Sequence, residues 1–401
     1  MKKLLVTILK SLASIILFAV LVFGVFSVSP IYDFAGPKPF SGPDVYNPYA
    51  GYKPEYGWKR ANFHTHTRVK GLFNECAYWP AYVDSCYRSF GYDIVTFSNH
   101  NKLTRHPYDS TLQVNVYEHG YNLFKYHKLV FGCGKVMPFD HLLPFLASQR
   151  QFQMDLLAKT SDFIQLNHPF RTWCTSKRIM EFLSGYRITE LDSGVTTGND
   201  YWDWALSAGH YSFGLANDDL HYPDRSDRFA VRCNFLNSPS GRYEDIRSTL
   251  LSGAYYSMRV PDYGAGDWET KRRENASLPS ISSIGSRSDT VFIKLTEPAS
   301  EILVYGQDHT VLCSAASADS LEYVLRPADS YARFTACFDD GAVIYSNPFA
   351  RYDSEKSESP YSVAWHDVNI LLTIIFNAGL LLLIYVCARL LRRLWHVASD
   401  R

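Results

Sequence analysis

Histidines and carboxylates follow several short apolar runs in this 401-residue chain. Imidazole and carboxylate groups are ligands that zinc, manganese and iron accept in proteins. In two places, His64-x-His66 and Asp219-x-His221, candidate ligands are separated by one residue, so on a strand both would face the same way. The pattern predicts one metal site, whose candidate ligands are His64, His66, His100, Glu118, His127, His168, Asp219 and His221.

Neighbouring divalent ions can hydrolyse a phosphate ester with a metal-bound hydroxide, and no covalent intermediate is then needed. A carboxylate must bridge the two ions, and Glu118 is the candidate for that role. Negative charge that develops in the transition state is stabilised by fixed cations. Arg171 is the first candidate for a phosphate contact and Arg105 the second, although an exposed or salt-bridged arginine is an equally good interpretation of either.

The order of these motifs resembles the PHP (polymerase and histidinol phosphatase) family of metal-dependent phosphoesterases. That family has H-x-H-[ST], then T-D-H-N, a Glu, a His, H-P and finally D-x-H. The similar segments here lie between about residues 60 and 260. They are His64-Thr65-His66-Thr67, Ser98-Asn99-His100-Asn101, Glu118, His127, His168-Pro169 and Asp219-Leu220-His221.

The resemblance implies two complete metal sites that share Glu118, so two or three divalent ions (Zn, Mn or Fe) are the expected cofactors. The first site would use His64, His66, Asp219 and Glu118, and the second Glu118, His127 and His168. A third site, with His100 and His221, is expected to lack its carboxylate. The family places an Asp or His where this chain has residues 70–72, and Asn99 replaces another Asp. Lys70 could supply a fixed positive charge in place of the third ion.

Other polar residues near the motifs are expected to be structural. Strand alternation turns His119 and Asp218 away from the site. Glu190 is expected to support the site from a second layer or to be structural, and His106, His141 and His210 have no predicted role. Eight residues therefore remain as predicted metal ligands.

Strand-like and helix-like stretches alternate from residue 61 to 265 with short connections, which is typical of an α/β barrel. The resemblance implies a distorted (β/α)7 barrel of the PHP type, with the site at the C-terminal ends of the strands. The predicted strands are 61–67, 93–98, 114–118, 128–132, 162–167, 187–192 and 211–218. The predicted helices are 78–90, 144–159, 176–183, 201–207 and 242–251.

Residues 275–351 contain short β-rich runs, at 290–295, 301–305, 320–325, 331–338 and 342–346, and are predicted to form a small β-sandwich. Residues 29–60 and 352–366 are predicted linkers. Cys313 and Cys337 lie on neighbouring predicted strands and could form a disulfide. Cys76 and Cys86 are ten residues apart, a separation that on a helix would exceed the reach of a disulfide, so a bond between them is not expected.

Two apolar segments, 4–28 and 367–388, approach the length that spans a bilayer. Lysines precede the first and arginines follow the second, so the positive-inside rule predicts two spans in the cell membrane, both termini in the cytoplasm and residues 30–365 outside it. A cleavable signal peptide is the alternative for the first segment. It is disfavoured because no A-x-A-like site follows and Pro30 stands where the cut would fall.

The chain has 40 basic and 40 acidic residues, so no overall basic charge favours nucleic acid as a partner. The main hypothesis is a membrane-anchored phosphoesterase whose substrate is a phosphate ester, for example a glycan- or lipid-linked phosphate. A second hypothesis is a degenerate PHP-like barrel that binds metal or glycan without turnover. A third is a scaffold in which the C-terminal β region recognises a partner.

Overall fold

The computed structural model describes residues 2–71, 74–172, 174–194, 196–261, 266–363 and 366–396. The helices are α1 Lys2–Val25, α2 Pro80–Ser89, α3 Ala147–Ala158, α4 Lys177–Phe182, α5 Asn199–Ser207, α6 Tyr243–Ser252, α7 Trp268–Asn275 and α8 Ile370–His396. The strands are β1 Tyr32–Asp33, β2 Asp44–Tyr46, β3 Lys59–Asn62, β4 Ile94–Val95, β5 Val116–His119, β6 Lys128–Phe131, β7 Phe163–Leu166, β8 Ile188–Ser193, β9 Thr196–Thr197, β10 Phe213–Asn217, β11 Arg232–Leu236, β12 Tyr255–Arg259, β13 Ile281–Arg287, β14 Thr290–Gly306, β15 Thr310–Val324, β16 Tyr331–Cys337, β17 Val343–Ser346, β18 Phe349–Tyr352 and β19 Asp367–Val368. The predicted mixed α/β class is confirmed.

One sheet has the strand order β10-β8-β7-β6-β5, with β9 paired to β8. Strands β10, β8 and β7 are parallel, whereas β6 pairs antiparallel with both β7 and β5. The connection from β5 to β6 is only residues 120–127, which is too short for the crossover that a parallel pair needs. The regular parallel alternation predicted for the barrel is therefore interrupted at this point.

A second sheet has the order β13-β14-β16-β17-β12-β11-β3-β4, with further pairing by β15, β18 and β2. Strands β11 and β12, which the sequence did not predict, join β3 to β17. One apolar cluster contains Tyr256 and Met258 of β12 together with Phe334 of β16 and Ile344 of β17. The predicted β-sandwich strands thus continue the sheet that begins near the site, and the domain limits stay a prediction.

The hydrogen-bonded ladders form open sheets, and the part of the chain that the structure describes contains no closed barrel. Two isolated parallel bridges, Thr65 to Leu220 and His100 to Glu118, connect the two sheets at the site. Strands β3 and β4 end before the predicted residues 67 and 98, but backbone hydrogen bonds continue beyond them, since the Ser98 N–H donates to the Thr65 carbonyl over 2.9 Å.

Two helices, Lys2–Val25 and Ile370–Leu394, are long and apolar enough to cross a membrane. They lie side by side, with Gly24 of α1 facing Ile384 of α8. Just outside α1, the Ile31 N–H donates to Thr373 Oγ1 over 2.8 Å, and the short strands β1 and β19 pair antiparallel. The two apolar helices therefore leave the folded region together.

All eight cysteines are free in the structure. The predicted disulfide between Cys313 and Cys337 is wrong because β14 lies between their strands: Cys313 faces Val304 and Cys337 faces Glu301 across the two ladders. Two strand spacings, about 9.6 Å, exceed the roughly 7 Å that a disulfide allows between Cα atoms.

Candidate metal centre

All eight predicted ligands come together at one end of the two sheets. His64 and His66 follow β3, His100 follows β4, Glu118 lies in β5, His127 precedes β6, His168 follows β7, and Asp219 and His221 follow β10. The segments are held by backbone hydrogen bonds that continue past the strands. The His66 N–H donates to the Leu220 carbonyl over 2.9 Å, and the Glu118 N–H donates to the Ser98 carbonyl over 3.1 Å.

The buried Glu118 carboxylate occupies the centre of the cluster. Its Oε2 lies 3.1 Å from His64 Nε2, 3.2 Å from His66 Nε2 and 3.0 Å from His100 Nε2. Asp219 Oδ1 faces the same two nitrogens of the H-x-H pair, at 3.2 Å from His64 and 3.1 Å from His66. This side of Glu118 thus has three imidazoles and a second carboxylate around it.

The other oxygen of Glu118 faces different histidines. Oε1 lies 3.1 Å from His127 Nδ1 and 3.4 Å from His168 Nε2. Asn167, which precedes His168, donates its side-chain N–H to Oε1 over 2.9 Å and fixes the orientation of the carboxylate. Glu118 therefore presents one oxygen to each of two histidine groups, as a bridging ligand does.

The donor set fits divalent cations. His64 Nε2 and Glu118 Oε2 are buried and face each other, and neither has a hydrogen-bond partner among the described residues. A nitrogen lone pair and a carboxylate oxygen repel each other unless a proton or a metal ion lies between them. Four groups hold ligand atoms within 4.8 Å of one another: His64, His66, Glu118 and Asp219; His64, His168 and Glu190; His66, Glu75 and His221; and His100, Glu118 and His127.

Glu75 corrects the expectation that the third site lacks a carboxylate. Its Oε2 lies 3.4 Å from His66 Nδ1, 3.2 Å from His100 Nε2 and 3.9 Å from His221 Nε2. The chain supplies this acidic group from the segment before α2 rather than at residues 70–72. No motif marks Glu75, because its distance from His66 in sequence does not predict the loop that returns it to the site.

Glu190 supports the site from behind, which the sequence suggested as one of two roles. Its Oε1 lies 2.9 Å from His64 Nδ1, and its Oε2 accepts the His168 N–H over 3.0 Å. Asn217 also donates to Oε1, over 3.1 Å. A carboxylate on the far nitrogen of a ligating histidine fixes its tautomer and raises its basicity. Glu190 therefore orients His64 with Nε2 toward Glu118.

Several polar neighbours turn away from the centre. The Asn99 side chain accepts the Thr67 N–H over 2.8 Å and donates to Thr104 Oγ1 over 2.7 Å, so it braces the loop after H-x-H. Asp218 accepts the backbone N–H groups of residues 230–232 and the Tyr87 hydroxyl. His119 lies 2.9 Å from the Phe139 carbonyl. These contacts are structural.

The remaining histidines also lie outside the cluster. His141 Nδ1 is 2.6 Å from the Phe26 carbonyl, and His210 Nε2 is 2.7 Å from the Glu181 carbonyl. His106 Nε2 lies 3.8 Å from Asp84 Oδ1.

Two of the candidate ligands have left-handed backbones. His168 has a φ of 24° and Asp219 a φ of 47°. Such a conformation costs a non-glycine residue about 1–3 kcal/mol, and residues that adopt it cluster at functional sites. The surrounding contacts hold both ligands in orientations that relaxed strands would not give.

Burial and charge act in opposite directions on the titrating groups. Burial disfavours protonation of His66, but Asp219 and Glu118 outweigh it and raise its pKa to about 9. His100 is different, because burial, with His66 and His127 nearby, lowers its pKa to about 4 despite Glu118. For Glu118, burial is outweighed by His100, His64 and His127, which hold its pKa well below the usual range.

Arg171 and Arg105, the two predicted phosphate contacts, lie in different environments. Arg171 forms an ion pair with Asp219 Oδ2 and donates to the Ser193 carbonyl over 3.2 Å. Gly194, with a φ of 54°, permits this approach, since a Cβ there would lie 2.9 Å from the Arg171 guanidinium. Arg105 is exposed, and it lines neither of the two cavities beside the cluster.

The larger of these cavities has a volume of about 640 Å³ and is lined by Lys70, Lys102, Glu75, His100 and Tyr121, among others. The Lys102 ammonium donates to the Lys70 carbonyl over 2.6 Å, which holds it at the wall. The smaller cavity, about 240 Å³, is lined by Arg171, Arg228, Asp219 and His221. Cationic side chains therefore stand on both sides of the cluster.

No family model and no curated protein matches the chain. Among solved structures it is similar to a two-domain protein from Bacteroides vulgatus that contains a predicted PHP-like metal-dependent phosphoesterase. The two chains are 14% identical, the similarity covers 79% of this chain and 100% of the other, and the TM-score is 0.38. Because this TM-score is low, the functional interpretation rests on the side chains of the site.

Proposed function

We propose that this chain is a metal-dependent phosphoesterase, anchored in the membrane and facing away from the cytoplasm. The observation that carries the proposal is the buried Glu118 carboxylate, whose two oxygens face two different groups of histidines. A carboxylate in this position can bridge two metal ions, and sites with two metal ions are common in enzymes that hydrolyse phosphate esters.

The ligand groups define which residues would hold the ions. One would be held by His64, His66, Asp219 and Glu118, and a second by Glu118, His127 and His100. His168, which the sequence analysis placed in the second site, lies 3.4 Å from Glu118 Oε1, the same oxygen that His127 faces. When bound, divalent ions supply Lewis acidity and lower the pKa of a water molecule. Zinc, manganese and iron all suit a donor set of this kind.

The protein's own cations have a separate role in the proposal. Lys70 and Lys102 line the larger cavity and would orient an anionic phosphate beside His100. Arg171 forms an ion pair with Asp219 and therefore positions a metal ligand. It also lines the smaller cavity. Arg105 is exposed and lines neither cavity, so the proposal assigns it no contact with the phosphate.

The finer fold and topology are also proposals. Strands β3, β4, β5, β6, β7, β8 and β10 would form a distorted seven-stranded barrel of the PHP type. The bridges Thr65–Leu220 and His100–Glu118 support this because they join the end of β3 to the end of β10 and the end of β4 to β5. The basic residues at both ends of the chain support cytoplasmic termini.

Metal content and hydrolysis test the proposed function. We would purify the full chain in detergent without chelator, measure bound metal, and assay phosphomonoesters and phosphodiesters. We expect at least two equivalents of metal and hydrolysis that a chelator abolishes. The variant His64→Ala should lose bound metal and should not hydrolyse the esters. A folded protein that binds no zinc or manganese would refute the proposal. Bound metal with no ester hydrolysed would favour the binding module without turnover.

Glu75→Gln tests the third site within the same experiment. Because Glu75 is the acidic group that His66, His100 and His221 share, we expect the variant to lose one equivalent while keeping two. Glu244→Gln, an exposed glutamate in the first turn of α6, is the matched control. Two equivalents in both the Glu75 variant and the wild type would mean a two-ion site, and three in both would mean that Glu75 does not hold the third ion.

A further inference from the structure

Exposed apolar side chains form a rim where the chain leaves α1. Leu123 is 70% exposed, Phe145 66%, Val28 42%, and Leu146 and Phe26 each 38%. We refer to these five residues as the apolar rim. Clusters of exposed leucine and phenylalanine on a folded surface indicate an apolar partner. Phe26 and Val28 directly follow the apolar helix α1, so the rim continues a segment that is itself long enough to cross a membrane.

Hydrogen bonds fasten the rim loops to the end of α1. His141 Nδ1 lies 2.6 Å from the Phe26 carbonyl, and the Gln149 side chain donates to the Ser27 carbonyl over 3.0 Å. Gln149 lies in the first turn of α3, and Phe145 and Leu146 immediately precede that helix. The rim residues of this loop are therefore held beside the apolar helix.

The loop that carries Leu123 is attached to the loop that carries Phe145 and Leu146. The Leu123 N–H donates to the Leu142 carbonyl over 3.1 Å, and the Phe124 and Phe145 rings pack with centroids 5.0 Å apart. Lys125 follows in the same loop and is exposed. A lysine at this position is compatible with a lipid surface, because its ammonium can reach the headgroups.

Tyr121 connects the rim to the metal centre. Its N–H donates to Asp140 over 2.8 Å, its hydroxyl donates to the His100 carbonyl over 3.2 Å, and its ring lies 5.1 Å from the His100 ring. Tyr121 also lines the larger cavity, together with Lys70 and Lys102. One residue of the cavity wall is thus two positions from Leu123 in the chain, which places the wall next to the rim.

We propose that the apolar rim inserts into the bilayer leaflet beside α1, and that the larger cavity receives the phosphate headgroup of a membrane lipid. This inference rests on the proposed function and specifies its substrate class. Leucine and phenylalanine on the rim offer no hydrogen bonds to a sugar, whereas acyl chains solvate them. The two lysines at the cavity wall match an anionic headgroup that projects from the same surface.

The first experiment measures insertion and does not depend on activity. The full-length variants Leu123→Trp and Phe145→Trp are reconstituted in phosphatidylcholine vesicles with and without brominated acyl chains. We expect the brominated chains to quench the fluorescence of the introduced tryptophan in both variants, measured as the difference from wild type. Val324→Trp, at an exposed position on β15, is the control and should be unaffected. Quenching of the rim variants no greater than that of the control would overturn insertion.

The second experiment measures substrate class in the same vesicles. Wild type and the double variant Leu123→Ser/Phe145→Ser are assayed on phosphatidic acid in the bilayer and on soluble p-nitrophenyl phosphate. We expect wild type to hydrolyse the lipid, and the double variant to lose roughly tenfold or more on the lipid, since several buried CH₂ groups are removed. Hydrolysis of the soluble ester and metal content should stay unchanged.

The outcomes separate this inference from the proposed function. Hydrolysis of the soluble ester without the lipid ester, or equal lipid hydrolysis by the double variant, would overturn the lipid assignment and leave the phosphoesterase proposal standing. Hydrolysis of neither ester by metal-loaded protein would refute the phosphoesterase proposal and, with it, the lipid substrate. In that case the quenching result would still decide whether the rim inserts.

Discussion

Two groups of buried charged side chains in this molecule are satisfied in different ways. Where α5 contacts β16 of the second sheet, the Asp203 carboxylate accepts hydrogen bonds from Arg333 Nε over 2.8 Å and from the Tyr331 hydroxyl over 2.9 Å. A second guanidinium N–H of Arg333 and His309 bind its other oxygen. Every acceptor direction of Asp203 is occupied by the protein, so this group is complete as it stands.

At the metal centre, Glu118 and His64 are buried as deeply as Asp203, but their facing atoms are satisfied differently. Glu118 Oε2 and His64 Nε2 have no hydrogen-bond partner among the described residues, although they lie 3.1 Å apart. The protein leaves these two atoms directed at one another, and its hydrogen bonds lie in the layer behind them, for example from His64 Nδ1 to Glu190 Oε1. A buried polar atom whose partners are all supplied by the protein has a structural role, whereas a buried atom that lacks a hydrogen-bond partner, in a cluster of shifted pKa values, indicates a ligand site.

The largest effect that this comparison predicts is for Glu118→Gln. Removing the shared carboxylate should lower metal affinity by more than the roughly 10–100-fold that outer-layer substitutions cost, and hydrolysis should be lost. Metal titration of the full chain measures this, with Glu244→Gln as the matched control. Folding should survive, because Gln keeps the size of the side chain. Unchanged metal content in Glu118→Gln would contradict the bridging role.

Asp203→Asn should cost stability rather than metal. The change leaves the Arg333 guanidinium buried with no anionic partner, which typically destabilises a protein by about 3–5 kcal/mol. Thermal unfolding of the detergent-solubilised chain measures this. The exposed pair of Lys177 and Asp308, 2.7 Å apart, provides the control, since Lys177→Ala should change stability by only ~0–1 kcal/mol.

The pH dependence of that stability has a defined sign. Burial opposes ionisation of Asp203, but Arg333 and His309 outweigh it and lower its pKa below 3.8. A lowered carboxyl pKa contributes stability that is present above the unfolded value and is lost as the pH falls through the folded value. We expect the acid midpoint of unfolding to rise in Asp203→Asn. An unchanged midpoint would mean that Asp203 does not contribute.

A smaller effect on the metal centre is expected for Glu190→Gln. Glu190 contacts His64 on the side away from Glu118, so the variant should weaken metal binding by about 10–100-fold without removing a ligand group. Competition with a chelator of known affinity measures the change. A loss as large as that of Glu118→Gln would instead show that Glu190 is itself a ligand.

The smallest effect per step, about tenfold for each pH unit, is predicted for the pH dependence of metal affinity. His66 has a pKa of about 9, so at neutral pH the metal-free site carries a proton there that binding must release. Apparent affinity should therefore rise by about tenfold per pH unit for each proton released and level off above pH 9. Proton release measured by calorimetry in two buffers would check this, and binding independent of pH would contradict it.

Much of the site could be predicted from the sequence because its ligands lie in short motifs. His64 and His66 are separated by one residue, and period-two alternation already places them on one face. Gly253 correctly marks the end of α6, since its φ of 89° suits glycine. The two apolar segments follow from composition alone. Each of these features depends on neighbours in the sequence, and local geometry is enough to specify them.

The rest depended on contacts between distant parts of the chain. Glu75 and Glu190 reach the centre from a loop and a strand that no motif connects to the ligands. Strands β11 and β12 unite the predicted β-sandwich with the sheet of the site, and β14 separates the two cysteines that were expected to pair. The residue types and their spacing show which side chains could bind metal and which segments are apolar. Which carboxylates lie beside the histidines follows from the folded chain, because strand pairing and the paths of the loops depend on packing across the whole fold.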